Sequence, residues 1–241
     1  MNWQEKTDKL VKWLKQKAAE ANAKGLLVGV SGGVDSAVVA ALIKKAFPED
    51  SLGIIMPCFS NPQDEEDARL VVKHLNLRHI IVSLDETYTA FVNSQNKAFK
   101  HEPNKIALAN IKPRLRMATL YYWAANFNYL VVGTGNRTEL EIGYFTKWGD
   151  GGVDLLPIGG LTKTEVWEFA RFLGLPDRII TKAPSAGLWE GQTDEGEMGY
   201  RYKDIDRYLL TGEGPAEIEN YVKVMQIKSQ HKKNMPEIPM L

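Results

Sequence analysis

Short, continuously apolar runs alternate with amphipathic segments along most of the chain. Apolar runs of this kind between turn residues are typical of strands that are buried on both faces of a sheet. The pattern predicts four strands, at 26–30, 51–56, 78–84 and 129–132. Apolar positions at helical spacing predict helices at 2–24, 37–47, 64 onward, 86–98, 103–126, 164–173, 204–210 and 215–233. Because alternating strands and helices form right-handed βαβ crossovers, we expect one α/β domain over residues 1–241, a doubly wound parallel sheet with helices on both faces.

The connection between the first strand and the next helix reads Ser31-Gly-Gly-Val-Asp-Ser36. Two glycines let the backbone turn sharply and approach an anion, and the helix start adds free N–H groups. We therefore expect a phosphate-binding loop here rather than a turn without a ligand. Asp35 stands where a Walker-type loop carries lysine. An acid beside phosphates is favourable only when it holds a metal ion that the phosphates also bind.

The charge balance and the cysteine count exclude several classes of protein. Thirty Lys and Arg residues face 30 Asp and Glu residues, which argues against a protein that coats nucleic acid. The chain has a single cysteine, Cys58, so an intramolecular disulfide is excluded and a buried packing role is favoured. Because no signal-type leader precedes Trp3, we expect a cytoplasmic protein with no membrane or nucleic-acid partner.

A glycine-rich segment from Gly143 to Gly152 interrupts the regular pattern. It places Tyr144, Phe145 and Trp148 close to Lys147 and to several glycines. Such a stretch builds no regular core but can close over a ligand. We expect it to be mobile without ligands and ordered when they bind.

Together with the phosphate loop, four further stretches resemble ammonia-dependent NAD synthetase, a family of N-type ATP pyrophosphatases. They read Asn110-Ile-Lys-Pro-Arg-Leu-Arg-Met117, Gly133-Thr-Gly-Asn-Arg-Thr-Glu139, Tyr144-Phe-Thr-Lys-Trp-Gly-Asp-Gly-Gly-Val-Asp-Leu-Leu-Pro157 and Lys182-Ala-Pro-Ser-Ala-Gly-Leu188. The resemblance implies an adenine nucleotide alpha hydrolase-like fold without a glutaminase domain. It also implies an ATP-dependent amidation of deamido-NAD by ammonia, through an adenylated intermediate, in a homodimer with the 103–126 region at its interface.

The resemblance further implies roles for individual residues. The implied ATP contacts are Gly29, Val30, Ser31, Gly32, Gly33, Val34, Asp35, Ser36, Thr134, Lys163 and Ser185. The implied magnesium ligands are Asp35 and Glu139. The implied deamido-NAD contacts are Arg114, Lys147, Asp154, His231 and Lys232. Asp150 and Lys163 are the implied catalytic residues, Asp150 for ammonium or its proton and Lys163 for charge on the phosphates.

Without the resemblance, several of these residues have simpler interpretations. Lys163 would be a charge flanking a helix, His231 part of a solvated tail, and Arg114 and Arg116 surface charges. The sequence also departs from the family pattern. The segment 54–62 lacks the usual arginine and glutamines, Gly135-Asn136 replaces Asp-His, and Ser185 replaces threonine. The contacts to adenine are therefore left open.

Two other functions share the phosphate loop. A tRNA-modifying ATP pyrophosphatase would need an RNA-binding surface and usually catalytic cysteines or a metal cluster, which the balanced charge and single cysteine disfavour. A non-catalytic nucleotide-binding module is disfavoured because both Asp35 and Glu139 are present in their motifs.

Overall fold

Four parallel strands form the central sheet in a computed structural model that describes residues 2–99, 102–185, 187, 189 and 191–240. The strands are β1 (Gly25–Gly29), β2 (Ser51–Ile55), β3 (His79–Ile81) and β4 (Tyr129–Val131). Their order in space is β3-β2-β1-β4, so β1 pairs with β2 on one side and with β4 on the other. The winding direction therefore reverses next to β1. Open α/β sheets bind ligands at the carboxyl ends of the strands beside such a reversal.

Helices cover both faces of this sheet. In the described residues they are α1 (Trp3–Glu20), α2 (Val34–Ala46), α3 (Pro62–His74), α4 (Asp85–Ala98), α5 (Lys105–Phe127), α6 (Arg137–Ile142), α7 (Lys163–Phe172), α8 (Asp177–Ile180), α9 (Asp194–Met198), α10 (Tyr202–Thr211) and α11 (Ala216–Lys233). Leu14, Val38 and Phe169 belong to an apolar cluster on one face, whereas Leu120 and Ala124 of α5 belong to a separate cluster on the other. The predicted doubly wound parallel sheet is confirmed.

One helix boundary differs from the sequence prediction in a way that affects the site. Helix α2 begins at Val34 with Gly33 as its N-cap, three residues before the predicted start, so Asp35 lies in its first turn. Helix α5 contains Pro113 in its interior and begins at Lys105, because the Asn104 side chain accepts hydrogen bonds from the first-turn N–H groups. In the part of the chain that the structure describes, no helix has the length and apolarity needed to cross a bilayer.

Candidate active site

A cavity of about 560 Å³ opens where β1, β2 and β4 end. Its wall includes the whole stretch from Val30 to Ser36 except Gly32, together with Met56 after β2 and Thr134 after β4. This volume lies within the range of small-molecule sites. The reversal point of the sheet and the predicted phosphate loop therefore meet at one cavity.

The phosphate loop is closed by its two serines. The Ser36 hydroxyl accepts a hydrogen bond from the Ser31 N–H (3.2 Å) and donates one to the Gly33 carbonyl (2.9 Å). The first bond of α2 runs from the Ala37 N–H to the Gly33 carbonyl (3.1 Å). The N–H groups of the first helical turn have no carbonyl partner within the helix and can therefore bind an anion.

Gly32 packs the phosphate loop directly onto α3. Its φ is +80°, and a Cβ there would lie 2.7 Å from the backbone oxygen of Asp64. The carboxylates of Asp64 and Asp67 each accept a hydrogen bond from Lys182 Nζ at 2.7 Å. These acids therefore connect the phosphate loop to the segment that carries Ser185, another cavity residue.

The centre of the cavity wall is a buried lysine between two carboxylates. Lys163 Nζ lies 2.5 Å from Asp35 Oδ2 and 3.4 Å from Glu139 Oε1, and the Lys163 side chain is only 3% exposed. Burial alone would lower the pKa of Lys163, but Asp35 and Glu139 raise it above its ordinary value. Burial raises the pKa of Glu139, while Lys163 opposes that shift. Lys163 is therefore not the helix-flanking charge that its position in the sequence suggests.

Capping interactions place these three side chains. Asn136 caps α6 by accepting from the Glu139 N–H (3.0 Å), and its Nδ2 donates to Asp35 Oδ1 (2.9 Å). Thr162 caps α7 in the same way, with Glu165 completing the capping box. Asn136 is fully buried and connects the two carboxylates. Sequence reasoning did not assign it a role, although Asn-x-x-Glu is a recognisable capping box.

A second acidic group adjoins the lysine. Asp194 of α9 accepts hydrogen bonds from Tyr202 (2.9 Å) and Tyr144 (3.3 Å), and Tyr144 also donates to Glu197 (2.7 Å). Burial raises the pKa of Asp194. These residues were missed because α9 lies in a segment without a clear helical pattern.

Asp35 and Glu139 fit the requirements of a magnesium site. Carboxylate oxygens are suitable ligands, and magnesium in proteins usually takes one or two carboxylates together with substrate phosphates and waters. Within the described ranges no cluster of three or more His, Cys, Asp or Glu side chains could hold a metal by itself. An ion here would therefore depend on the substrate phosphates for further ligands.

The glycine-rich segment forms one side of the cavity and is held by α11. Lys232 Nζ donates to the carbonyls of Gly143 and Phe145, both at 2.8 Å. A Cβ at Gly143, where φ is +68°, would lie 1.9 Å from the Ser229 Cβ of α11. Asp150 lines the cavity and accepts a hydrogen bond from the Thr146 N–H (2.9 Å). Although water can reach it, surrounding protein atoms desolvate Asp150 and raise its pKa.

The structure does not bring all five residues implied for deamido-NAD to the cavity. Lys232 lines the cavity, and the others lie outside the described lining. Arg114 donates to the Lys147 carbonyl (3.4 Å), and Lys147 donates to the His231 carbonyl (2.6 Å), so these three form one group. Asp154 lies apart, where it accepts from the Val131 N–H (2.8 Å).

Two residues that have no implied role, Cys58 and Arg116, lie in the protein interior and in the cavity wall. Cys58 is fully buried, as predicted, and burial raises its pKa. Arg116 is not the surface charge of its simpler interpretation, because its guanidinium lies in the cavity wall and donates to the Met56 carbonyl.

A doubly wound parallel sheet with an acid-containing Gly-Gly phosphate loop at its reversal point defines an ATP-binding α/β enzyme of the pyrophosphatase class. Comparison with known proteins specifies which one. The model of the NAD synthase family matches residues 6–237, and the chain belongs to that family.

Individual relatives agree with this assignment. The chain is 78% identical to an NH(3)-dependent NAD(+) synthetase of Carboxydothermus hydrogenoformans, over 100% of this chain and 99% of the relative. Among solved structures, an NMN synthetase from Francisella tularensis has a TM-score of 0.94 at 38% identity. An NH3-dependent NAD synthetase from Campylobacter jejuni, solved with a nitrate ion, has a TM-score of 0.81 at 33% identity. Each of these two matches covers 100% of this chain and 100% of the solved chain. The tRNA-modifying alternative is not favoured.

Proposed function

We propose that the protein makes NAD from deamido-NAD, ammonia and ATP through an adenylated intermediate, with release of AMP and pyrophosphate. The observation that carries this proposal is the convergence of Asp35, Glu139 and Lys163 beside the phosphate loop. The 78% identity to an NH(3)-dependent NAD(+) synthetase over 100% of this chain supports the choice of substrates.

In the first step the carboxylate must be activated. One oxygen of the nicotinate carboxylate attacks the α-phosphorus of ATP, the bond from that phosphorus to the β-bridging oxygen breaks, and pyrophosphate leaves. The first-turn N–H groups of α2 bind the pyrophosphate oxygens, and the Lys163 ammonium offsets their charge. Asp35 and Glu139 would hold magnesium, which supplies positive charge to the same phosphate oxygens when bound.

In the second step ammonia attacks the acyl carbon and AMP leaves with the former carboxylate oxygen. Asp150 lines the cavity and is positioned by the Thr146 N–H, so its carboxylate is suited to bind ammonium and accept its proton. We propose free ammonium as the nitrogen donor. This chain's only cysteine is buried at Cys58 with a raised pKa and is unsuited to act as a glutaminase nucleophile.

We also propose a cytoplasmic homodimer whose interface includes α4 and α5. The described residues of α4 include none that is buried, although the helix carries Phe91 and Tyr88. On α5, Tyr122 is 62% exposed and does not line the cavity. Exposed apolar side chains on adjoining helices favour a protein partner, and a second copy of the chain would supply one. Light scattering should give a dimer mass, and Tyr122→Glu should lower it to that of a monomer; a monomeric unaltered protein would contradict this proposal.

A second acid substrate is favoured by a specific observation. The NMN synthetase from Francisella tularensis has a TM-score of 0.94 with this chain, compared with 0.81 for the NAD synthetase from Campylobacter jejuni. We therefore propose nicotinate mononucleotide as the competing candidate, amidated by the same two steps.

Product formation tests the proposal directly. The purified protein is incubated with ATP, magnesium and ammonium, together with either deamido-NAD or nicotinate mononucleotide, and both amides are quantified. We expect NAD to form with a higher kcat/KM than the mononucleotide amide. A higher kcat/KM for the mononucleotide would replace the substrate assignment, and formation of neither amide would overturn the function. Glutamine in place of ammonium should give no product.

A further inference from the structure

Arg116 is a cation inside the cavity wall that none of the roles above uses. It lies on α5, between the loop that follows β2 and the glycine-rich segment. Its neighbour Met117 also lines the cavity, while Pro113, one turn earlier, contacts Gly149 of the glycine-rich segment. The guanidinium therefore faces the space between the phosphate loop and Asp150.

Two neutral acceptors hold this guanidinium in place. Nε donates to the Met56 carbonyl at 3.1 Å, and Nη2 donates to the Ser60 hydroxyl at 3.2 Å. A guanidinium has five N–H donors in a rigid fork, so these two contacts fix its orientation and leave donors on Nη1 and Nη2 for a ligand.

No carboxylate in the described part of the chain contacts Arg116. Among the described residues no carboxylate lies within 4.0 Å of it, in contrast to Lys163 and Lys182, which each contact two. Asp64 and Asp150 act on it only from a distance, and burial lowers its pKa. A desolvated cation without a contacting anion is costly unless a ligand supplies one.

We propose that Arg116 is a substrate-binding residue whose free N–H groups bind an oxyanion. Two substrate groups share this chemistry: the α-phosphate of ATP and the pyridine carboxylate of the acid substrate. A planar fork that binds two oxygens suits either group. The inference rests on the proposed function for the identity of the acid substrate, but not for the phosphate.

Paired ligands distinguish the two groups. AMP and adenosine differ only in the phosphate, and deamido-NAD and NAD differ only in carboxylate against amide. Binding of all four is measured by calorimetry to the unaltered protein, Arg116→Met and Arg116→Lys. Arg116→Met should reduce the preference for the charged member of one pair by roughly tenfold or more, and Arg116→Lys should reduce it less, because lysine keeps the charge and loses the fork.

The affected pair identifies the bound oxyanion. If Arg116 only held the 56–60 loop, the variants would weaken both members of a pair equally. Unchanged preferences in both pairs would therefore overturn the proposal. If Arg116→Met does not fold, Arg116→Lys decides by the same criterion. Arg171→Met, at an exposed position on α7, is the matched control and should leave all four affinities unchanged. Because amide formation by the unaltered protein is measured separately, failure of this inference is distinguishable from failure of the proposed function.

Discussion

The contact from Asn136 to Asp35 allows a sharp test of how the carboxylates of Asp35 and Glu139 are held in place. Asn136→Ala removes both the cap of α6 and the hydrogen bond to Asp35 Oδ1, which measures 2.9 Å. The loss of a cap costs about 1 kcal/mol, and the loss of a hydrogen bond to a charged group costs roughly 1.5–3 kcal/mol. We therefore expect the free energy of unfolding to fall by about 2.5–4 kcal/mol. For a chain of this size, that loss lowers Tm by about 5–15 °C.

Asn2 supplies a matched control for this variant. It forms the same capping box on α1, with Glu5 N–H to Asn2 Oδ1 at 2.9 Å compared with 3.0 Å at Asn136, but it is exposed and does not line the cavity. Asn2→Ala should cost about 1 kcal/mol or less. Urea unfolding gives both free energies, and the magnesium dependence of turnover gives a second readout that should change only for Asn136→Ala. A difference between the two variants below about 0.5 kcal/mol would refute the reasoning, because it would leave no contribution for the Asp35 contact.

Three further predictions concern separate parts of the site. Asp35→Asn should retain the fold by circular dichroism and lose about a hundredfold or more in turnover, because even indirect support of a metal site is worth 10–100-fold; turnover close to that of the unaltered protein would refute its role. Lys232→Met should speed tryptic cleavage after Lys147, because it releases the glycine-rich segment from α11, and Lys228→Met is the control. In the unaltered protein, ATP plus deamido-NAD should slow the same cleavage. Equal cleavage rates in all of these samples would show that α11 does not hold the segment. Cys58, which is buried with a raised pKa, should react slowly with iodoacetamide at pH 7 and rapidly in urea, and fast native labelling would contradict its packing role.

Features governed by local chemistry were predictable from the sequence. The buried strands follow from short apolar runs, and the phosphate loop follows from two glycines and two serines between a strand and a helix. The start of α2 was the exception. Gly33 can cap the helix without a side-chain hydrogen bond, so the chain becomes helical three residues before the apolar run begins.

Features that depend on long-range contacts were not predictable from patterns. Lys163 meets Asp35 across 128 positions of the chain, and only the family resemblance connected them. An arginine on a helix is usually a surface charge. The inward orientation of Arg116 depends on its contact with the backbone of the 56–60 loop, and the spacing of residues along α5 does not reveal that contact. The Asn-x-x-Glu motif indicates that Asn136 can cap a helix. Its second hydrogen bond, to Asp35, forms only because α6 lies against the phosphate loop, which the motif does not indicate.

The transfer of a carboxylate oxygen tests adenylation most directly. Deamido-NAD labelled with oxygen-18 in its carboxylate is converted with ATP, magnesium and ammonium, and the products are analysed by mass spectrometry. Because the carboxylate oxygen attacks the α-phosphorus and leaves with AMP, one labelled oxygen should appear in the AMP phosphate and none in pyrophosphate. AMP without label, or label in pyrophosphate or inorganic phosphate, would contradict activation at the α-phosphate.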